Sequence, residues 1–149
     1  MEITDIIDRN LVLTQLNCRS KDDIFQTLSQ VLKKENYISD TENFINDLYI
    51  REAEGQTGIG HYIAIPHSKS SSVKKVGVAI GINQWEIPWE TNDGKGVRAV
   101  VLFAVGSDSE GAKEHLKRLA LFARKLGRDE VVESLLAAKS PADVIAAFA

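Results

Sequence analysis

Two segments in the first third of the chain repeat hydrophobic residues every three or four positions. Ser20 and Asp40 precede these segments as helix N-caps, and Asp23 completes the first cap. The inward positions of the first segment are Ile24, Leu28, Val31 and Leu32. The inward positions of the second segment, which ends near Gly55, are Phe44, Ile45, Leu48 and Tyr49. This spacing predicts two amphipathic helices.

Continuous apolar runs in the middle of the chain predict buried strands. The clearest are 76–82 (VGVAIGI) and 97–105 (VRAVVLFAV), which are rich in valine and isoleucine. The short stretch 63–65 is a third strand that ends at Pro66, because a proline cannot extend a strand ladder. Residues 11–13 fit a further short strand.

Three more helices are predicted in the last third of the chain. The inward positions of the first one, which ends at Gly127, are Leu116, Leu119, Ala123 and Leu126. Residues 129–139 and 141–148 follow as two further helices, with Ser140 as the N-cap of the last one. The order of elements predicts an α/β fold in a single domain, 1–149, with a mixed sheet flanked by helices on both sides in three layers.

Composition and charge exclude several classes of function. The chain has 149 residues, of which 44% are hydrophobic and 26% charged, as in a globular domain with its own core. A net charge of −3 gives no electrostatic reason to expect a nucleic acid partner. No apolar run is long enough to span a bilayer, and the N-terminus has no signal-like core. We therefore expect a cytoplasmic protein that does not insert into a membrane.

The sequence lacks the usual motifs for bound cofactors and metals. It has no G-x-x-x-x-G-K-[ST] loop, no G-x-G-x-x-G fingerprint, no H-E-x-x-H and no C-x-x-C. His61 and His67 are separated by five residues that include Pro66, which is not a usual zinc spacing. We therefore expect neither a cofactor nor a metal.

Residues 55–70, GQTGIGHYIAIPHSKS, hold two of the three histidines. His67 follows a predicted strand, where ligands of α/β sheets gather, although a turn histidine without a reaction fits the same pattern. His61 follows two glycines and fits the rim of a tightly turned loop. His115 lies at the edge of a helical apolar face, either packed in the core or facing another histidine. Arg51 ends the second helix, where it complements the helix dipole or serves an anion.

The block REAEGQTGIGHYIAIPH, residues 51–67, resembles the active-site segment of the fructose/mannitol-type EIIA domains of the bacterial phosphoenolpyruvate-dependent phosphotransferase system. The shared pattern is an R-E pair, then T-G-I-G, then A-I-P-H. The segment HLKRLALFARKL, residues 115–126, is similar to the second-histidine helix of that family. The order of elements also agrees from end to end, so the resemblance implies the family's mixed sheet flanked by helices.

The resemblance implies roles for residues at matching positions. It implies that His67 is phosphorylated, that His115 contacts the phosphoryl group as the second histidine, and that Arg51 lies near the site. Neutral imidazole suits the carrier role, because it is a nucleophile near neutral pH and later a leaving group. Phosphoryl transfer needs positioning and stabilisation of charge on three equatorial oxygens, which His115 and Arg51 can supply.

The loop between the R-E pair and A-I-P-H supplies the remaining candidates. Its backbone N–H groups can bind an anion, and the candidate phosphate-loop positions are Thr57, Gly58 and Gly60. The candidates for an apolar ring where partners dock are Ile59 and Tyr62. The family usually has a small or polar residue and then glycine where this chain has His61 and Tyr62, and frequently glycine where it has Ser68.

The resemblance also implies partners. Phospho-HPr would donate the phosphoryl group, and a cysteine of a cognate EIIB would accept it. An EIIC membrane permease would be an indirect partner, in fructose/mannitol-type sugar uptake. Two alternatives stay open. The nitrogen-type EIIA proteins share the fold and an A-I-P-H-like segment, and they regulate by phosphorylation-dependent protein binding. A degenerate module that no longer accepts phosphate is the third hypothesis, and the presence of both His67 and His115 argues against it.

Overall fold

The computed structural model describes residues 2–149, with the side chains of 109–111 excepted. The α-helices are α1 (Lys21–Lys34), α2 (Thr41–Glu54), α3 (Ser109–Leu126), α4 (Asp129–Leu136) and α5 (Pro141–Phe148). The β-strands are β1 (Val12–Leu16), β2 (Gly58–Gly60), β3 (Ile63–Ala64), β4 (His67–Ser70), β5 (Gly77–Ile87) and β6 (Val97–Gly106). Two short 3-10 helices, Ile3–Asp5 and Arg9–Leu11, precede β1. None of the helices in this part of the chain is both long and apolar enough to cross a membrane.

The strands form one mixed sheet in the order β1-β5-β6-β3-β2, with β4 also paired to β6. Strands β5 and β6 are antiparallel and form its centre. On the other side of β6, β3 and β4 pair with it in succession, both parallel to it. Strand β3 contacts the first half of β6, and β4 contacts the second half from Phe103 onward. The chain therefore places the start of β4 beside the middle of β6.

Alternate side chains of β6 enter two separate hydrophobic cores. Ala99, Val101 and Phe103 join the core that α3, α4 and α5 cover. Val100 and Leu102 join the core that α1 and α2 cover. Because successive strand residues point to opposite faces, one central strand serves both layers of helices. The predicted three-layer α/β architecture, with helices on both sides of a mixed sheet, is confirmed.

The predicted strands 11–13, 63–65, 76–82 and 97–105 correspond to β1, β3, β5 and β6 with shifted ends, whereas β2 and β4 are not predicted. The sequence places His67 just past a strand end, and this is wrong in detail: His67 is the first residue of β4. Pro66 separates β3 from β4, and its carbonyl accepts the Phe103 N–H at 3.0 Å. The proline therefore interrupts the strand without interrupting its pairing with β6.

The predicted N-caps of three helices are confirmed. Ser20, Asp40 and Ser140 each accept a hydrogen bond from the backbone N–H three residues further on. Such caps satisfy N–H groups that have no partner within the helix. They fix where α1, α2 and α5 begin.

The buried faces of α2 and α3 differ from the predicted ones at three positions. Tyr49 on α2 is 38% exposed and donates its hydroxyl proton to Asp22. On α3, Leu116 is 64% exposed and Ala123 is exposed, although the sequence places both inward. The buried face of α3 instead runs through His115, Leu119, Phe122 and Leu126. This rotation turns a histidine toward the sheet in place of a leucine.

Candidate functional site

The start of β4 and the second turn of α3 bring His67 and His115 together. Their ring centroids lie 5.3 Å apart, with the rings tilted by 35°. Phe103 of β6 is the Cα partner of His67 in the sheet and packs edge-on against His115, with ring centroids 5.4 Å apart. Phe103 therefore neighbours His67 in the sheet and packs its ring on His115.

The ring of His67 is held by a backbone carbonyl. Its Nδ1 lies 2.9 Å from the carbonyl oxygen of Ile65. A carbonyl oxygen only accepts hydrogen bonds, so Nδ1 must carry the proton. In the neutral ring this leaves the lone pair on Nε2, which is therefore the nucleophilic nitrogen.

The imidazole of His115 is buried, with 7% of the residue exposed. Its Nδ1 has no hydrogen-bond partner among the described residues. A buried N–H without a partner is rarer in proteins than a buried acceptor without one. We therefore assign the proton of the neutral ring to Nε2, which makes Nε2 of His115 a hydrogen-bond donor.

Both imidazoles are held in their neutral form. Burial lowers the pKa of His67 below its usual value of 6.5, the bond to Ile65 opposes this shift, and the charge of Arg51 adds to it. Burial, together with smaller effects of the charges of His67 and Lys69, lowers the pKa of His115 to about 4. At neutral pH the site thus holds a neutral nucleophile beside a neutral donor.

The two histidines open into a cleft of about 480 Å³ between α2 and β4. Its lining residues are Asp47, Ile50, Arg51, Glu54, His67, Ser68, Lys69, Val105 and His115. The guanidinium of Arg51 donates to the Gly55 carbonyl at 2.8 Å, which holds it at the mouth of the cleft. Lys69 is exposed in the same lining, which also holds the carboxylates of Asp47 and Glu54. The charge of Arg51 acts on His67 and that of Lys69 acts on His115. This arrangement suits an anionic group on Nε2 of His67.

The predicted phosphate-loop residues lie beside this cleft and do not line it. The Thr57 hydroxyl donates to Glu52 Oε1 at 2.5 Å. A Cβ on Gly58 would come within 2.5 Å of the Glu90 carbonyl oxygen, so only glycine fits there. Gly60 lies against Asp93. That these residues bind phosphate stays a prediction, and their observed contacts are with the protein itself.

Two of the departures from the family pattern, His61 and Tyr62, form a tight hairpin turn between β2 and β3. His61 and Tyr62 have φ angles of 55° and 67°, the left-handed values that a type I′ turn requires at both positions. Asp93 compensates by accepting the His61 N–H at 3.0 Å, and the Lys95 ammonium lies 5.5 Å from the Tyr62 ring centre. The turn is thus strained and tightly held, and His61 lies exposed on it, outside the cleft.

Two exposed apolar side chains lie on the helices that contribute to the cleft, at positions that the sequence did not indicate. Ile50 lines it and is 56% exposed, and Leu116, which follows His115 on α3, is 64% exposed. The predicted docking residues Ile59 and Tyr62 are half-buried and do not line it. Among the described residues, no cluster of three or more His, Cys, Asp and Glu side chains is placed to hold a metal ion.

The low pKa of His115 makes stability depend on pH. In the unfolded chain this histidine binds a proton near pH 6.5, but in the folded protein only near pH 4. The unfolded state therefore binds more protons between these two pH values. The contribution of the neutral His115 to the free energy of unfolding is fully present above pH 6.5 and is lost as the pH falls to 4. A pKa difference of one corresponds to about 1.4 kcal/mol, so the loss approaches about 3 kcal/mol.

Replacing His115 with phenylalanine removes this titration. Between pH 7 and pH 4, His115→Phe should lose about 3 kcal/mol less free energy of unfolding than the parent in urea titrations. His61→Phe is the matched control for a histidine-to-phenylalanine change, since His61 lies exposed on a turn outside the cleft. Parallel pH profiles for the parent and His115→Phe would contradict the low pKa.

The fold and a matching family model identify this chain as a component of a phosphotransferase system. A sequence profile described as "Phosphoenolpyruvate-dependent sugar phosphotransferase system, EIIA 2" matches residues 5–149. The chain therefore belongs to this EIIA family.

Relatives in the family come from both transport and regulation. The chain is 32% identical over 139 residues to the mannitol-specific phosphotransferase enzyme IIA component of Bacillus subtilis, covering 93% of this chain and 92% of that protein. It is 29% identical over 149 residues to a 2-O-alpha-mannosyl-D-glycerate-specific EIIABC component of Escherichia coli. That match covers 99% of this chain and 22% of the relative, so the chain spans about a fifth of that longer protein.

Solved structures agree with the fold throughout. The crystal structure of the nitrogen regulatory protein IIA-Ntr from Neisseria meningitidis superposes with a TM-score of 0.87 at 27% identity, covering 99% of both chains. The mannitol enzyme IIA of Escherichia coli, solved in complex with phosphorylated enzyme IIB, superposes with a TM-score of 0.79. Its identity is 18%, with 95% of this chain and 96% of that chain covered, so it shows the fold alone.

Proposed function

We propose that this chain accepts a phosphoryl group from phospho-HPr on Nε2 of His67 and passes it to a cysteine of a cognate EIIB. The observation that carries the proposal is the pair of neutral imidazoles 5.3 Å apart in a cleft that also holds two cations. The residues in contact with the reacting groups would be His67, His115 and Arg51.

In the first step, the Nε2 lone pair of His67 forms a bond to phosphorus while the bond from phosphorus to HPr breaks. The leaving atom of HPr keeps that electron pair. In the second step, a thiolate sulfur of EIIB forms the new bond to phosphorus, and Nε2 leaves with its electron pair. Nδ1 keeps its proton throughout, because the Ile65 carbonyl holds it at 2.9 Å. The ring is therefore regenerated in the same tautomer.

The charge of the transferring group lies on three equatorial oxygens, and the cleft offers donors for them. His115 donates from Nε2, and its buried position fixes the direction of that bond. Arg51 and Lys69 add positive charge. Donors that are already in place need no rearrangement when the charge moves, which is how such sites lower the barrier.

Two macromolecules must reach His67 in turn, so the site has to lie open. Exposed Ile50 and Leu116 provide apolar contact beside the cleft, and we add them to Ile59 and Tyr62 as docking candidates. The EIIB acceptor is supported by the mannitol relative that was solved with phosphorylated enzyme IIB. By the same analogy, we propose that 1–149 acts as one cytoplasmic EIIA domain, with an EIIC permease downstream in fructose/mannitol-type uptake.

A nitrogen-type regulatory role is the second candidate. The observation in its favour is the TM-score of 0.87 with the nitrogen regulatory protein IIA-Ntr. Phosphorylation of His67 is common to both roles, but onward transfer to an EIIB cysteine belongs to transport. Presentation of phosphorylated protein to candidate EIIB domains therefore separates the two.

Incubating the chain with phosphoenolpyruvate, Enzyme I and HPr tests the proposal. The intact mass should increase by one phosphoryl group, and this group should be lost in acid, as expected of phosphohistidine. Nitrogen NMR of the labelled protein should place phosphorus on Nε2 of His67. No mass increase, or phosphate on His61 or His115, would refute the assignment.

A further inference from the structure

Three hydrogen bonds, joined by the covalent structure of Thr57 and Ile65, connect α2 to the ring of His67. The Thr57 hydroxyl donates to Glu52 Oε1 at 2.5 Å. The Thr57 carbonyl accepts the Ile65 N–H at 3.0 Å. The Ile65 carbonyl accepts the His67 Nδ1–H at 2.9 Å. Glu52 is thus connected to the nucleophilic ring through two intermediate residues.

The α2 end of this connection is anchored by an ion pair. Lys21 Nζ lies 3.0 Å from Glu52 Oε2. Its second contact, 2.7 Å to Oε2 of the exposed Glu90, leads away from Thr57 and His67. The side chain of Glu52 is 7% exposed and Thr57 is 3% exposed, so water competes little for either bond. A carboxylate so enclosed keeps both oxygens paired, because an unpaired buried charge is costly. Glu52 is therefore a fixed point for the hydrogen bonds that follow it.

The backbone of Ile65 lies in a break of the sheet, where its hydrogen bond to the Thr57 carbonyl replaces the missing strand pairing. Strand β3 ends at Ala64 and β4 begins at His67, so Ile65 belongs to neither strand. Its N–H is bonded to Thr57 outside the β6 ladder. Its carbonyl lies in the next peptide, Ile65–Pro66, where it accepts the His67 Nδ1–H, and only the φ and ψ rotations of Ile65 separate it from the peptide that is bonded to Thr57.

We propose that Glu52 and Thr57 are positioning residues that hold His67 in the tautomer with a free Nε2 lone pair. Neither residue touches the reacting atoms, and they act through the Ile65 carbonyl. The inference rests on the proposed role of His67 as the phosphoryl acceptor. In metal sites, mutation of the residues that fix a histidine's tautomer typically lowers affinity or activity by about 10- to 100-fold. We expect the rate of His67 phosphorylation to fall by a similar factor.

The test compares Thr57→Val, which keeps the shape but loses the hydroxyl, with Thr57→Ser, which keeps the hydroxyl. Long-range ¹H–¹⁵N NMR of the unphosphorylated protein reports which ring nitrogen of His67 carries the proton. In the parent and Thr57→Ser, Nδ1 should carry it. In Thr57→Val, the Nε2–H tautomer should appear, and phosphorylation by phospho-HPr should slow by about tenfold or more.

Glu90→Gln is the matched control, since it removes a partner of Lys21 that has no bond to Thr57. It should leave the tautomer and the rate as in the parent. If Thr57→Val does not fold, Thr57→Ala, which adds no atoms, carries the same expectation. An unchanged tautomer in the folded hydroxyl-free variant, with or without a slower rate, would overturn the proposal. If the parent takes up no phosphate but the tautomer still changes, the proposed function fails while the positioning role holds.

Discussion

Replacing His67 with glutamine should abolish phosphoryl uptake from phospho-HPr. Glutamine approximates the size of the ring and places an amide near Nε2, but an amide nitrogen has no basic lone pair. Removal of a nucleophile typically costs several powers of ten in rate, so we expect a loss of roughly 10⁴-fold or more. The measurement is the intact mass after incubation with phosphoenolpyruvate, Enzyme I and HPr.

The matched control is His61→Gln, since His61 is six positions away on an exposed turn and outside the cleft. This variant should be labelled at the rate of the parent. Circular dichroism should show both variants folded, because His67 is only half-buried. Full labelling of His67→Gln would contradict the assignment, and so would transfer of the label to His115.

Most of the fold follows from the sequence because its long elements have strong patterns. Buried runs of valine and isoleucine indicate β5 and β6, and capped amphipathic segments indicate α1 and α2. Strand β4 has no such pattern, because its sequence is H-S-K-S. It is a strand because β6 offers it a parallel partner from Phe103 to Gly106. Such tertiary pairing leaves no periodicity in a four-residue segment.

The buried face of α3 was predicted incorrectly because Leu116 is more hydrophobic than its neighbour His115. Two sets of positions fit the helical period, one containing Leu116 and the other containing His115 and Phe122. Hydrophobicity alone favours the leucine. The structure buries the other set, because the large ring of Phe122 packs on Phe103 with centroids 5.5 Å apart. The same rotation buries His115 and exposes Leu116.

The hydrogen bonds around His67 could not be read from the sequence either. The resemblance pointed to Thr57 as part of a phosphate-binding loop, whereas its hydroxyl is engaged by Glu52. That bond depends on the end of α2 facing β2, which no local pattern reports. Residue types and spacing therefore indicated His67 as the candidate histidine, but its orientation required the tertiary structure.

Replacing His115 with phenylalanine should slow phosphoryl transfer by about 10²-fold in both steps, from HPr to His67 and from His67 to EIIB. Loss of one fixed donor to a developing oxyanion typically costs this much, because the remaining groups cannot move to replace it. In both transfers the phosphoryl group carries negative charge on three equatorial oxygens, so both rates should fall. Binding of unphosphorylated partners should change little, since His115 is 7% exposed and offers them little surface.

His115→Gln is the matched variant, because its side-chain amide can return an N–H donor near the former position of Nε2. It should recover a large part of the rate that phenylalanine loses. Rapid-quench measurement of each transfer, with calorimetric titration of HPr binding, separates chemistry from docking. Equal transfer rates for His115→Phe and the parent would show that the second imidazole does not stabilise the phosphoryl group. Equal losses in phenylalanine and glutamine variants that remain folded would show that its role is not hydrogen-bond donation.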